Sequence, residues 1–262
     1  MEKPGEMFND GAAYERLVGR WSRRVGATFL EWLGAPSGAR WLDVGCGNGA
    51  FSEEIAARTA PAAIHGIDPS EAQLAYARAR QNLAGADFRV GDATSLPFED
   101  NAFDISTMAL VIAFVPDPPR AVAEMARVVR PGGIVAAYMW DIEGRQTPVE
   151  PAVAALEAIG VERTMPSGEN ASRAGFERLW RGAGLTAIET RSIAIRLQFA
   201  DFDEYWRSLT APVGPHARRL RELTPAQLDT LRERMRETAE IDAQGGVSFG
   251  AVANAVKGRV AA

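Results

Sequence analysis

The stretch Trp41-Leu42-Asp43-Val44-Gly45-Cys46-Gly47-Asn48-Gly49 constrains this chain more than any other. A short apolar run holding one acid meets three glycines at alternate positions. Glycine reaches dihedrals closed to other residues and leaves no side chain between backbone and ligand. Such a run reads as a buried strand feeding a helix through a tight turn. With Ala50 it also satisfies G-x-G-x-x-G/A, a pattern that is weak when it stands alone.

The segments around it repeat the alternation. Strands are predicted at 39–45, 62–68, 86–92, 103–112 and 132–140, and helices at 50–60, 70–83 and 117–130. Ser70 and Gln73 have capping-box spacing, and Asp117 precedes two prolines suited to a first helical turn. Apolar strands alternating with helices make an α/β fold, a mostly parallel sheet covered on both faces. Its ligands bind outside the carboxyl ends of the strands. The second half is less regular. It shows a loop into a helix from 141, a helix at 172–185 closed by Gly184, and a long or bent strand at 186–199. Helices follow at 202–210 and 226–241, and a last strand at 247–258. Without a linker, 1–262 reads as one domain. It comprises a helical lead-in at 1–35, a core at 36–140, and cap material at 141–170 and 200–245.

Acids stand at the strand ends where a ligand would meet them. Asp68 closes the second strand about 20 residues beyond the glycine turn, where a carboxylate accepts from ribose hydroxyls. Asp92 closes the third strand and can accept from the exocyclic amine of an adenine. Asp43 can hold the loop or receive an ammonium group. Bare backbone, a ribose acceptor and an adenine acceptor thus follow one another along three strands.

Bulk properties narrow the class. The 262 residues carry a formal net charge of -5, against the basic excess usual for nucleic-acid binders. The one cysteine, Cys46, allows neither a disulfide within the chain nor a cysteine cluster for zinc, and suits a reducing cytoplasm. The polar N-terminus has no signal-peptide core, and no apolar run reaches membrane-spanning length. No metal site is expected.

"LDVGCGNG", "GIDPS", "GDATSLPFEDNAFD" and "RVVRPGG" resemble, in order and spacing, the class I S-adenosylmethionine-dependent methyltransferases. Within that class the resemblance is to the type 11 group, similar to the ubiquinone and menaquinone biosynthesis methyltransferases. It covers residues 38–140 well and the remainder more loosely. It implies a Rossmann-like core, with a seven-stranded sheet and a helical cap. S-adenosylmethionine would be the cofactor, S-adenosylhomocysteine its product, and a small molecule the acceptor through oxygen, nitrogen or carbon. It further implies that Asp43, Gly45 and Gly47 border the methionine moiety, Asp68 holds the ribose and Pro69 flanks the adenine. Asp92 and the backbone of Ala93 would read the adenine edge. Met108 and Ala109 would lie near the sulfonium, with Tyr14 and Trp21 closing from the N-terminal helix.

Other residues keep two readings. Trp140, Tyr205 and Trp206 are core anchors or walls of an aromatic acceptor pocket. His216 is a helix-start surface residue or a general base for a protonated acceptor. His65, inside a strand, reads as a sheet histidine, Cys46 as packing, and Asp104 as a turn cap. The arginines between 218 and 236 interleave with acids and read as a solvated, ion-paired helix face. Two other functions use the same turn. An NAD-dependent oxidoreductase would ordinarily show Y-x-x-x-K, which is absent; lysine occurs only as Lys3 and Lys257. A non-catalytic S-adenosylmethionine-binding protein would need only the pocket. The motif of base-flipping methyltransferases is absent, since the fourth strand leads into "VPDPPR".

Overall fold

The apolar runs of residues 40–140 lie side by side, as strands buried on both faces must. The computed structural model describes residues 19–210 and 217–262. In it β1 (Arg40–Val44), β2 (Ala63–Asp68), β3 (Asp87–Val90), β4 (Phe103–Ala109) and β5 (Val129–Trp140) pair in parallel. The connecting helices are α2 (Ala50–Thr59), α3 (Glu71–Ala79) and α4 (Pro118–Val128), and α1 (Arg20–Leu33) precedes the sheet. The second half supplies α5 (Glu150–Ala158), α6 (Arg173–Gly182), β6 (Thr186–Phe199), α7 (Phe202–Leu209), α8 (Ala217–Glu222), α9 (Pro225–Thr238), β7 (Glu240–Ile241) and β8 (Val247–Arg259). The strand order is β3-β2-β1-β4-β5-β8-β6. The chain's direction across the sheet reverses between β1 and β4, which is where such sheets open a crevice. β8 runs antiparallel between β5 and β6.

The expected α/β class and mostly parallel sheet are present, with seven strands along the path. An eighth, the two-residue β7, pairs with β8 where β5 has ended at Trp140. The stretch 226–241, expected as one helix, stops at Thr238 because Ala239 turns extended and Asp242 organises the following turn through the Gln244 and Gly246 amides. The helix expected over 70–83 ends at Ala79. Arg80 is extended there, and its guanidinium reaches the Asn48 carbonyl at 2.7 Å and Glu53 at 2.6 Å. The strand expected to 112 ends at Ala109, where Leu110 takes a left-handed φ of 61°. The expected cap of α3 is half a capping box. Ser70 accepts from the Gln73 amide, but Gln73 Oε1 has no partner.

Two clusters hold the layers. On the parallel side, Phe29 of α1 meets Tyr138 of β5 at 4.7 Å and Phe51 of α2 at 5.9 Å between ring centroids. On the antiparallel side, Trp21 sits against Trp140 and Phe249, and Tyr205 against Phe199 and Phe249. Each such side chain contributes about 1.5–3 kcal/mol by burial. Polar clamps fix the connections. Buried Glu124 of α4 accepts from the Leu96 amide and from Arg127, whose guanidinium also holds the Leu96 and Phe98 carbonyls. This pins the loop between β3 and β4. Arg163 grips Glu150 through both carboxylate oxygens, at 2.9 and 2.7 Å, and ties the loop after α5 back to its first turn. Among the described residues, no helix is long and apolar enough to cross a membrane.

Candidate functional site

The glycine turn joins β1 to α2. Gly45 and Cys46 both donate their amides to the Ile67 carbonyl, at 2.7 and 3.0 Å, so the end of β2 supports the turn. Gly45 has φ +74°, and a Cβ there would lie 2.6 Å from Val111; no other residue fits. Gly47 has φ +51° and open space where a Cβ would stand. The first glycine is required by packing, and the second leaves room beside the backbone.

The three acids have distinct environments. Asp43 is fully buried. Its Oδ2 accepts from the Ser52 hydroxyl at 2.6 Å, and its Oδ1 has no partner. Burial pushes this carboxyl up to about 7, Ser52 opposing and the negative charge of Asp68 adding a little. Asp68 accepts from the Gly47 amide through Oδ2 and from the Ser70 amide through Oδ1, each at 2.9 Å. Its pKa is also raised by burial, and those two amides pull the other way. Asp92 is more open. Its Oδ1 accepts from the Thr94 hydroxyl and amide, at 2.6 and 2.7 Å, and these bonds hold its pKa below the usual carboxylate range.

All three line one cavity of about 660 Å³ at the carboxyl ends of β1, β2, β3 and β4. Gly45, Gly47, Pro69, Ala93 and Ala109 line it as well. Met108 and Trp21 do not. Alternate residues of a strand face opposite ways, so Met108 is turned into the core and its neighbour Ala109 reaches the cavity. Trp21 is likewise in the core, and Ser22 lines the cavity in its place. Trp140 and Tyr205 are buried among aromatic rings and Trp206 lies under Arg232; none of the three lines this cavity. Tyr14 and His216 fall outside the described residues. His65 sits mid-strand beside Asp87 at 3.4 Å, and its pKa is lowered, chiefly by burial. Cys46 is buried and its thiol pushed well up by burial, which leaves it unreactive. Asp104 accepts from the Arg40 amide and pairs with Arg130, at the end of the strands away from the cavity.

Sequence reasoning missed an apolar wall: Phe51, Leu110, Val111, Phe114, Val115 and Tyr138. In the sequence these merge with core-forming runs. The structural signal is Leu110, a non-glycine residue held at positive φ by its amide bond to the Tyr138 carbonyl at 2.8 Å. Such strain concentrates at functional sites. Ser22 and Gln73 were also missed; each is buried, lines the cavity and has an unpartnered side-chain oxygen.

Residues 42–137 match a family described as a methyltransferase domain. A Mycobacterium ulcerans protein named "probable phthiotriol/phenolphthiotriol dimycocerosates methyltransferase 2" is 31% identical over 188 residues, which are 70% of this chain and 69% of that protein. The chain belongs to this methyltransferase family. A demethylmenaquinone methyltransferase of Renibacterium salmoninarum is 40% identical over 114 residues, 44% of this chain and 45% of its own length. Several other curated relatives are likewise matched over only a third to under half of their length. Among solved structures, the Haemonchus contortus phosphoethanolamine N-methyltransferase 2 in complex with S-adenosyl-L-methionine shares the fold at TM-score 0.58 and 19% identity, over 96% of this chain and 56% of that one. The cyclase SpnF shares it at TM-score 0.54 and 22% identity, over 92% of this chain and 82% of that one. Within this fold, therefore, the site and not the scaffold must decide the chemistry.

Proposed function

We propose that this methyltransferase-family chain transfers a methyl group from S-adenosylmethionine to a small-molecule acceptor. The observation that carries the reading is one cavity shared by three strand-end acids, with a buried oxygen of Asp43 left unpartnered. A dinucleotide offers the same adenosine but no primary ammonium to meet that oxygen. The donor set fits S-adenosylmethionine. Each Asp68 oxygen spends one lone pair on a backbone amide and keeps another for a ribose hydroxyl. Both bonds on Asp92 fall on Oδ1, so Oδ2 can face the adenine amine while the Ala93 backbone reads the ring edge. Pro69 flanks the base, and Gly45 and Gly47 border the amino-acid end.

When bound, S-adenosylmethionine supplies a methyl group on a positively charged sulfur that is already strongly electrophilic. The chain's task is then to align an acceptor and exclude water. Alignment contributes at most about 7–11 kcal/mol. Phe51, Phe114, Val115 and Tyr138 supply an apolar wall that keeps water out. Relatives named for phthiotriol dimycocerosates and for demethylmenaquinone suggest an acceptor with a large apolar part. His216 stays the candidate base for an acceptor that holds its proton. Residues 36–140 are the cofactor-binding core, against which α1 packs, and 141–170 and 200–245 form the cap. Contact between α5 and α9 joins the two cap segments.

Calorimetric titration with S-adenosylmethionine, S-adenosylhomocysteine and NAD tests the reading. Micromolar binding of the first two and none of NAD is expected, and an acceptor screen follows. Binding of NAD alone would overturn the proposal.

A further inference from the structure

We propose that Ser22 contacts the cofactor, its hydroxyl donating to the α-carboxylate at the amino-acid end of S-adenosylmethionine or S-adenosylhomocysteine. This rests on the cofactor reading above. Ser22 and Gly26 lie one turn apart on one face of α1. A Cβ on Gly26 would stand 3.1 Å from the Phe51 ring and 3.3 Å from the Tyr138 hydroxyl oxygen. That face therefore packs on the first turn of α2, immediately after the glycine turn. Ser52, which bonds Asp43, is in the same turn.

Ser22 lines the cavity and is 9% exposed, yet its Oγ has no partner. A serine or threonine hydroxyl inside a helix can fall back on the carbonyl four residues earlier. Thr28 of the same helix does so, bonding the Arg24 carbonyl at 3.2 Å. A buried hydroxyl left without a bond is costly, and a ligand that satisfies it is favoured. The ligand end in question is a zwitterion. Asp43 can take only its cationic half. No lysine, arginine or histidine lines the cavity among the described residues, so the anionic half falls to neutral donors. Ser22 is a buried neutral donor on the cavity wall whose hydroxyl has no partner in the fold.

The test compares S-adenosylhomocysteine with methylthioadenosine, which shares the nucleoside but lacks the amino-acid end. Ser22→Ala should bind the first about tenfold more weakly and the second as the wild type does. Its melting temperature without ligand should equal or exceed that of the wild type, because an unpartnered hydroxyl has been removed. Unchanged affinity for S-adenosylhomocysteine would overturn the assignment and leave the cofactor reading standing. Equal losses for both ligands, or a lowered melting temperature, would show that Ser22 acts through the fold and would also overturn it. A wild-type protein that binds neither ligand would overturn the cofactor reading itself.

Discussion

The parallel and antiparallel parts of the sheet put their large side chains to different ends. At the carboxyl ends of β1, β2, β3 and β4, acids and bare backbone surround a cavity. Around β8 and β6, Trp21, Trp140, Tyr205 and Phe249 pack on one another, and none of them lines that cavity. The difference follows from strand direction. In the parallel part every carboxyl end emerges on one edge, so each turn adds a residue to the same crevice. An antiparallel strand returns through the sheet, and its neighbours meet side by side and form core. A polar residue after a parallel strand is thus a site residue far more readily than an aromatic residue after an antiparallel pair.

The largest effect that could break this contrast is on the antiparallel side. Trp140→Ala should cost about 3–5 kcal/mol of stability, as loss of a buried tryptophan does. Affinity for S-adenosylhomocysteine should stay within about twofold, measured on folded protein beside a urea titration. A severalfold loss of affinity at intact stability would return Trp140 to the site. On the parallel side, Asp68→Ala should do the reverse. Removing paired acceptors from the ribose should weaken S-adenosylhomocysteine binding by more than tenfold. Releasing the Gly47 and Ser70 amides, two bonds, should cost about 1–3 kcal/mol of stability. Unchanged affinity in a folded variant would remove Asp68 from the ribose role.

The same contrast explains what was legible in the sequence. Gly45, Asp68 and Asp92 were readable because a turn, a carboxylate and a strand end coincide in a short window. The fold class was readable because buried parallel strands are nearly continuous apolar runs. The apolar wall from Leu110 to Val115 was not readable, since nothing in "ALVIAFV" tells a strand from the bend that aims it at a ligand. Trp21 and Ser22 show the limit at a single step. One residue of helical rotation separates core from cavity, and the more conspicuous residue type drew the assignment. β7 escaped notice because Glu240–Ile241 exists only through its pairing with β8.

Asp43 sharpens the contrast further, through pH. Burial holds its carboxyl protonated up to about 7, against an ordinary 3.8. In the free protein the folded state keeps a proton that the unfolded chain has released, so this group makes stability fall as pH rises from about 4 to about 7, with no further change above. A ligand ammonium favours the carboxylate, so binding below pH 7 must expel that proton. Affinity for S-adenosylhomocysteine should therefore be about tenfold weaker at pH 6 than at its plateau above 7. Titrations in two buffers of different ionisation heat would count the released proton. Asp43→Asn should erase the dependence. A flat wild-type profile would mean that Asp43 does not meet the ammonium.

The smallest effect is expected on the outer surface, where charge is plentiful and contributes little. Arg181 of α6 pairs with Glu177 at 2.6 Å, one turn away, and both side chains are largely in solvent. Such a pair contributes about 0.3–0.5 kcal/mol, because water screens it and holding two long side chains costs entropy. Arg181→Ala should shift the urea midpoint barely beyond error and leave cofactor affinity untouched. Arg127 is also an arginine in a helix, but it satisfies buried Glu124 and two loop carbonyls behind the cavity. Its removal would leave buried Glu124 with only the Leu96 amide and the solvent-exposed Arg120, 3.5 Å away, which costs more than losing an exposed pair. If the two alanine variants proved equally mild, the loop carrying Asp92 would owe its position to backbone packing and not to the arginine that holds its carbonyls.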